Sequence, residues 1–142
     1  MKRILVTGAN KGIGLSTVEN LLQNHPDTFL ILGSRDEKRG DEAVGFLTSK
    51  EPKWSDRLMM LAIDVSSDES VTLAAETVAS SFETEAKPLY GIINNAGIGS
   101  SSIGLKSNFQ VNTWGIYRVC EAFIPLLEAS GRIVNVTSAA GP

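Results

Sequence analysis

The stretch Thr7-Gly8-Ala9-Asn10-Lys11-Gly12-Ile13-Gly14 decides the fold. A short apolar run, Ile4-Leu5-Val6, precedes it, and Leu15, Val18, Leu21 and Leu22 follow at helical spacing. Strand, glycine turn and helix opening, in that order, suit a diphosphate. The turn brings backbone N–H groups to the phosphates, and the helix N-terminus adds the positive end of its dipole. Gly8 allows the turn, Gly12 lets the backbone approach a pyrophosphate, and Gly14 lets helix and strand pack closely. Asn10, Lys11 and Ile13 complete the loop as candidate contacts. The spacing is Gly-x-x-x-Gly-x-Gly, not the Gly-x-Gly-x-x-Gly of the commonest dinucleotide fingerprint.

Outward from this loop, apolar runs and amphipathic segments alternate. Strands are expected at Ile4–Thr7, Thr28–Leu32, Leu58–Val65, Tyr90–Ile93 and Arg132–Ser138. The first helix should stop near His25-Pro26, because proline disfavours helix at the residue before it. A second helix runs from Glu37 to about Lys50, and a third starts at Ser67, an N-cap followed by Asp68 and Glu69. A long helix is expected from about Leu105 to Glu128. Its inner face would be Phe109, Asn112, Ile116, Val119, Cys120, Phe123 and Leu127, with Pro125 bending its last turns.

This alternation predicts an α/β three-layer Rossmann fold. One domain over residues 1–142 would hold a doubly wound parallel sheet in the order 3-2-1-4-5. Ligands then belong at the carboxyl ends of the strands, where Asn10-Lys11, Ser34-Arg35, Asn94-Asn95 and Thr137-Ser138 converge.

Bulk properties narrow the partners. The chain has 142 residues, 42% of them apolar and 20% charged, with net charge −3, so nothing favours nucleic acid or an anionic membrane. The single cysteine, Cys120, excludes an internal disulfide, and no Cys/His cluster could hold a metal. His25, the only histidine, reads as a solvated cap. Met1-Lys2-Arg3 is followed by only three apolar residues, too few for a secretory signal, and no run reaches transmembrane length. A cytoplasmic location is the default expectation.

Several polar residues need partners or ligands. Asn94-Asn95-Ala96-Gly97 ends an apolar strand with two amides, which form either a simple turn or a ligand contact. Asn112 on an apolar face must be satisfied by backbone, water or ligand. Ser138 at a strand end could donate to a substrate oxygen. After the second strand, an acid would bind ribose hydroxyls and favour NAD, whereas a base would pair with a 2′-phosphate and favour NADP. Ser34, Arg35 and Arg39, with Lys11 in the glycine loop, favour NADP(H), and Asp36 argues the other way.

Together these pieces resemble the short-chain dehydrogenase/reductase family, on Thr7-Gly8-x-x-x-Gly12-Ile13-Gly14, Asp64-Val65, Asn94-Asn95-Ala96-Gly97, Asn112 and Asn135-Val136-Thr137-Ser138. The loop with Ser34-Arg35-Asp36 and Arg39-Gly40 looks closest to NADPH-dependent carbonyl reductases. The resemblance implies Asp64 and Val65 at the adenine, and Asn95, Ala96 and Gly97 along the ribose. It implies Asn112 in the proton relay and Ser138 as donor to the carbonyl oxygen of a small-molecule substrate. Family members complete the site with Tyr-x-x-x-Lys, but the fourth residues after Tyr90 and Tyr117 are Asn94 and Glu121. The chain is therefore expected to be the cofactor-binding part of a reductase that stops early, inactive alone. The alternatives are a non-catalytic NADP-binding module and a truncated product. Strand five would be an apolar edge, and self-association is expected through that edge or the long helix.

Overall fold

The computed structural model describes residues 1–98 and 104–137. Its strands are β1 (Lys2–Val6), β2 (Thr28–Ser34), β3 (Leu58–Ala62), β4 (Leu89–Asn94) and β5 (Leu127–Asn135). Its helices are α1 (Gly12–Asn24), α2 (Glu37–Lys50), α3 (Asp68–Ser81), α4 (Leu105–Asn112) and α5 (Trp114–Phe123). Short 3-10 turns cover Pro52–Arg57 and Ile124–Leu126.

The five strands form one sheet in the order β3-β2-β1-β4-β5. Every neighbouring pair is parallel, with Ile4 beside both Leu30 and Gly91, Leu30 beside Leu58, and Ile92 beside Ile133. Alternation along the strands makes the layers. Leu5, Ile31 and Ile92 face a cluster with Val71, Val78, Val119 and Phe123 of α3 and α5. Ile4, Val6, Leu30 and Leu32 face the other way, onto Val18 and Leu22 of α1 and Leu47 of α2. With both faces covered, β1 and β2 carry near-continuous apolar runs, as a parallel sheet requires. This is the expected Rossmann architecture.

The caps expected at Ser67 and His25 are in place, and the structure adds one at Asp36. Ser67 accepts from the Ser70 N–H and opens α3, and Asp36 does the same for Arg39 at the start of α2. His25 ends α1, exposed, and Arg57 donates to the carbonyls of Leu22, His25 and Thr28 there.

Several boundaries differ from expectation, and three of the differences bear on the site. β3 ends at Ala62, so Asp64 and Val65 lie in the loop after it. The long helix is two helices broken at Thr113, and α5 stops at Phe123 because the 3-10 turn holding Pro125 redirects the chain instead of bending a continuing helix. β5 therefore starts at Leu127, not Arg132. A register shift separates the Leu89–Leu127 pair from the regular pairing that begins at Gly91–Arg132. The break also changes the inner face. Val119 and Phe123 are buried as expected, and Leu127 belongs to β5, but Phe109 is 50% exposed and Asn112 lies at the surface.

Candidate functional site

The site grows from the turn between β1 and α1. Gly8 and Gly12 have φ of 61° and 57°, the left-handed region that glycine enters without cost. A Cβ on Gly8 would stand 2.7 Å from the Ala96 Cα, so the turn lies directly against the loop after β4. A Cβ on Gly14 would meet the Asn95 Nδ2 and the Gly8 oxygen, each at 2.5 Å. At Gly12 nothing lies within 4 Å of that position. The three glycines thus divide into two that permit packing and one that opens onto space.

Side chains lock the two loops together. The Thr7 hydroxyl oxygen accepts from the backbone N–H groups of Asn95 and Ala96 at 3.1 and 3.0 Å. The Asn95 amide donates to the carbonyls of Thr7 and Gly8 at 3.2 and 3.1 Å. Both Asn95 contacts are to backbone, so this side chain builds the rim. Lys11 stands at the N-cap of α1 in extended conformation and makes no side-chain cap. The first N–H groups of α1 are left without a capping side chain, which suits an anion.

A cavity of about 340 Å³ opens at the carboxyl end of the sheet. Of the residues expected in the site, Gly8, Asn10, Lys11, Gly12, Ile13, Arg35, Asp64, Val65, Asn95, Ala96 and Gly97 line it. Gly14 sits behind the loop against Asn95. The open Gly12 position, the uncapped helix start and the cavity coincide, and they fit the diphosphate of a dinucleotide. Asp64 is held by a hydrogen bond from the Ser66 hydroxyl at 2.6 Å and one from its N–H at 3.0 Å.

Other expected residues lie elsewhere. Ser34 is fully buried, its hydroxyl donates to the Asp36 carbonyl at 2.8 Å, and it does not line the cavity. Its polarity is used in the turn before α2. Arg39 lines an adjoining groove that shares Asn10 and Lys11 with the cavity, and its Nε is 3.9 Å from an Asp36 carboxylate oxygen. Asn112 ends α4 and makes two hydrogen bonds of 2.9 Å with the backbone of Ile98, donating to its carbonyl and accepting from its N–H. Ser138 lies outside the described residues.

Ile63, Ile98 and Val111 complete the cavity wall and were not expected there. The adjacency of Ile98 to Gly97 and of Val111 to Asn112 was the available signal. Glu85, whose carboxyl a hydrogen bond from Arg3 holds below the usual range, sits at the amino-terminal edge of the sheet, remote from the cavity. Among the described residues, no helix is long and apolar enough to cross a membrane, and no cluster of His, Cys, Asp and Glu could hold a metal.

A family model described as short chain dehydrogenase matches residues 2–142. The mitochondrial D-beta-hydroxybutyrate dehydrogenase of Bos taurus is 38% identical over 99% of this chain and 42% of its own length. The NADPH-bound carbonyl reductase from chicken fatty liver superposes with a TM-score of 0.80 at 31% identity, over 99% of this chain and 60% of that one. Menthone neomenthol reductase from Mentha piperita gives a TM-score of 0.84 at 28% identity, over 97% and 60%. The chain spans about half the length of the relatives it matches.

Proposed function

The chain belongs to the short-chain dehydrogenase family, and from that premise we propose that it binds NADPH and serves the reduction of a small-molecule carbonyl. The family binds a nicotinamide cofactor. The observation that carries the reading is the open position at Gly12, at the start of a helix without a side-chain cap, inside a cavity that Lys11 and Arg35 both line. Carbonyl reductase and NADPH, the terms that describe the chicken relative, come to this chain on that ground.

In this reading the Gly12 turn and the α1 N-terminus hold the diphosphate. Lys11 and Arg35 pair with the 2′-phosphate, with Arg39 a turn further along α2. Asp64 and Val65 border the adenine, and Asn95, Ala96 and Gly97 border the ribose. Asn112 fixes Ile98 and takes part in the proton relay, and Ser138 donates to the carbonyl oxygen. NADPH, when bound, supplies the hydride that converts the carbonyl to an alcohol. The proton for the alcohol oxygen needs a donor, and no Tyr-x-x-x-Lys pair occurs in the 142 residues. A second reading, favoured by the exposed Ile133 and Val134 of the edge strand β5, is a nucleotide-binding module that acts by association.

Two measurements test the assignment. Arg35→Asp places an acid where ribose hydroxyls would bind, and is expected to reverse the preference so that NADH binds more tightly than NADPH. An unchanged NADPH preference would remove Arg35 from the phosphate site. The 142-residue chain is expected to bind NADPH without oxidising it in the presence of a small diketone or quinone. Turnover insensitive to Ser138→Ala would overturn the role given to that serine.

A further inference from the structure

Arg118, on the α5 face that meets α3, spends its guanidinium on three separate pieces of chain. Its Nε donates to an Asp68 carboxylate oxygen at 2.6 Å, at the first turn of α3. One terminal nitrogen donates to the Val65 carbonyl at 3.3 Å and the Gln110 carbonyl at 2.9 Å, and the other to the Gln110 side-chain oxygen. The side chain is only 16% exposed, whereas Asp68 is 86% exposed, so screening leaves the charge pair with little weight. The backbone contacts are the informative ones.

Those contacts belong to the cavity. Val65 lines it, and a Cβ on Gly115 would stand 2.8 Å from the Val65 Cγ2, so α5 already presses on this residue. Gln110 lies in the last turn of α4, where carbonyls lack intrahelical partners, and Arg118 supplies one. The next residue, Val111, lines the cavity, and the one after it, Asn112, holds Ile98, which lines it as well. One guanidinium thus joins the loop after β3 to the end of α4, two separate parts of the wall.

We propose that Arg118 is a positioning residue for the nucleotide cavity, fixing Val65 against the end of α4 and so setting cofactor affinity without touching the cofactor. This rests on the NADPH reading above. Lysine cannot replace it, because a single ammonium lacks the planar fork that reaches Val65 and Gln110 together. Arg57 provides the matched control: it also donates to three carbonyls, those of Leu22, His25 and Thr28, and none of these residues lines the cavity.

The test compares wild type, Arg118→Met, Arg118→Lys and Arg57→Met by NADPH fluorescence titration, thermal melting and hydrogen exchange without ligand. Both Arg118 variants are expected to weaken NADPH binding by about tenfold. Arg57→Met should lower the melting temperature while leaving NADPH affinity within about twofold of wild type. In ligand-free Arg118→Met, exchange should accelerate at residues 64–68 and 109–114 and not at the glycine loop. Wild-type affinity in Arg118→Met or Arg118→Lys, an affinity loss in Arg57→Met as large as in Arg118→Met, or unchanged exchange in those two segments would each overturn the proposal. A wild-type chain that binds no nicotinamide nucleotide would refute the NADPH reading instead, and the ligand-free exchange would still decide whether Arg118 holds the two walls.

Discussion

Gly12 and Gly14 stand two residues apart, yet a methyl group would act differently at each. At Gly12 the space is open and the cost is the left-handed backbone, about 1–2 kcal/mol for an alanine. The methyl would also fill the position that a diphosphate needs, so Gly12→Ala should lose NADPH binding far out of proportion to its loss of stability. At Gly14 the methyl would meet Asn95 and the Gly8 carbonyl, and Gly14→Ala should cost about 1–3 kcal/mol before any ligand is added. Urea denaturation and NADPH titration on both variants separate the two effects; equal profiles would contradict the division of roles. Ser34→Ala is a related case. It loses one buried hydrogen bond, worth about 1 kcal/mol, and should leave NADPH affinity unchanged. The glycine loop was legible residue by residue, since spacing and backbone demands are local. The burial of Ser34 was not, because a serine beside an arginine reads equally as phosphate ligand or turn former. Ile98 and Val111 were missed because an apolar wall residue carries no chemical mark in sequence.

Elements from β1 to α3 were legible because punctuation fixes them: Pro26 after α1, Ser67 as a cap, glycine after β1. Beyond Gly97 the signals conflict. Apolar residues continue at helical spacing across Thr113 and Pro125, so the segment reads as one helix although the backbone breaks once and then turns into β5. That misreading matters for the site, since the end of α4 lies at the break, with Val111 lining the cavity and Asn112 bonded to Ile98. The same region leaves apolar surface uncovered among the described residues, with Val134 51%, Val136 40% and Trp114 50% exposed. β5, which carries Val134 and leads into Val136, is an edge strand of the sheet, and an unpaired edge templates association. Sedimentation of the 142-residue chain should show a mass that rises with concentration, and Val134→Lys with Val136→Lys should suppress that rise. A wild-type chain monomeric at all concentrations would rule out association through β5.

At the scale of the molecule, the parallel order β3-β2-β1-β4-β5 brings the ends of β1, β2, β3 and β4 to one cavity, although the residues that line it run from Gly8 to Val111 in sequence. The strand order followed from alternation and the glycine loop because right-handed crossovers leave few other arrangements. Cofactor preference does not follow from topology; it depends on which side chains stand at the second strand's end, and Lys11 and Arg35 are both cations at the cavity wall. A ligand that binds only the folded chain raises its apparent stability with the logarithm of its concentration relative to its dissociation constant. The most direct measurement is calorimetric titration of the 142-residue chain with NADPH and, under the same conditions, NADH. A single saturable site per chain with NADPH the tighter ligand is the predicted result; no saturable heat from either nucleotide, or tighter binding of NADH, would contradict it.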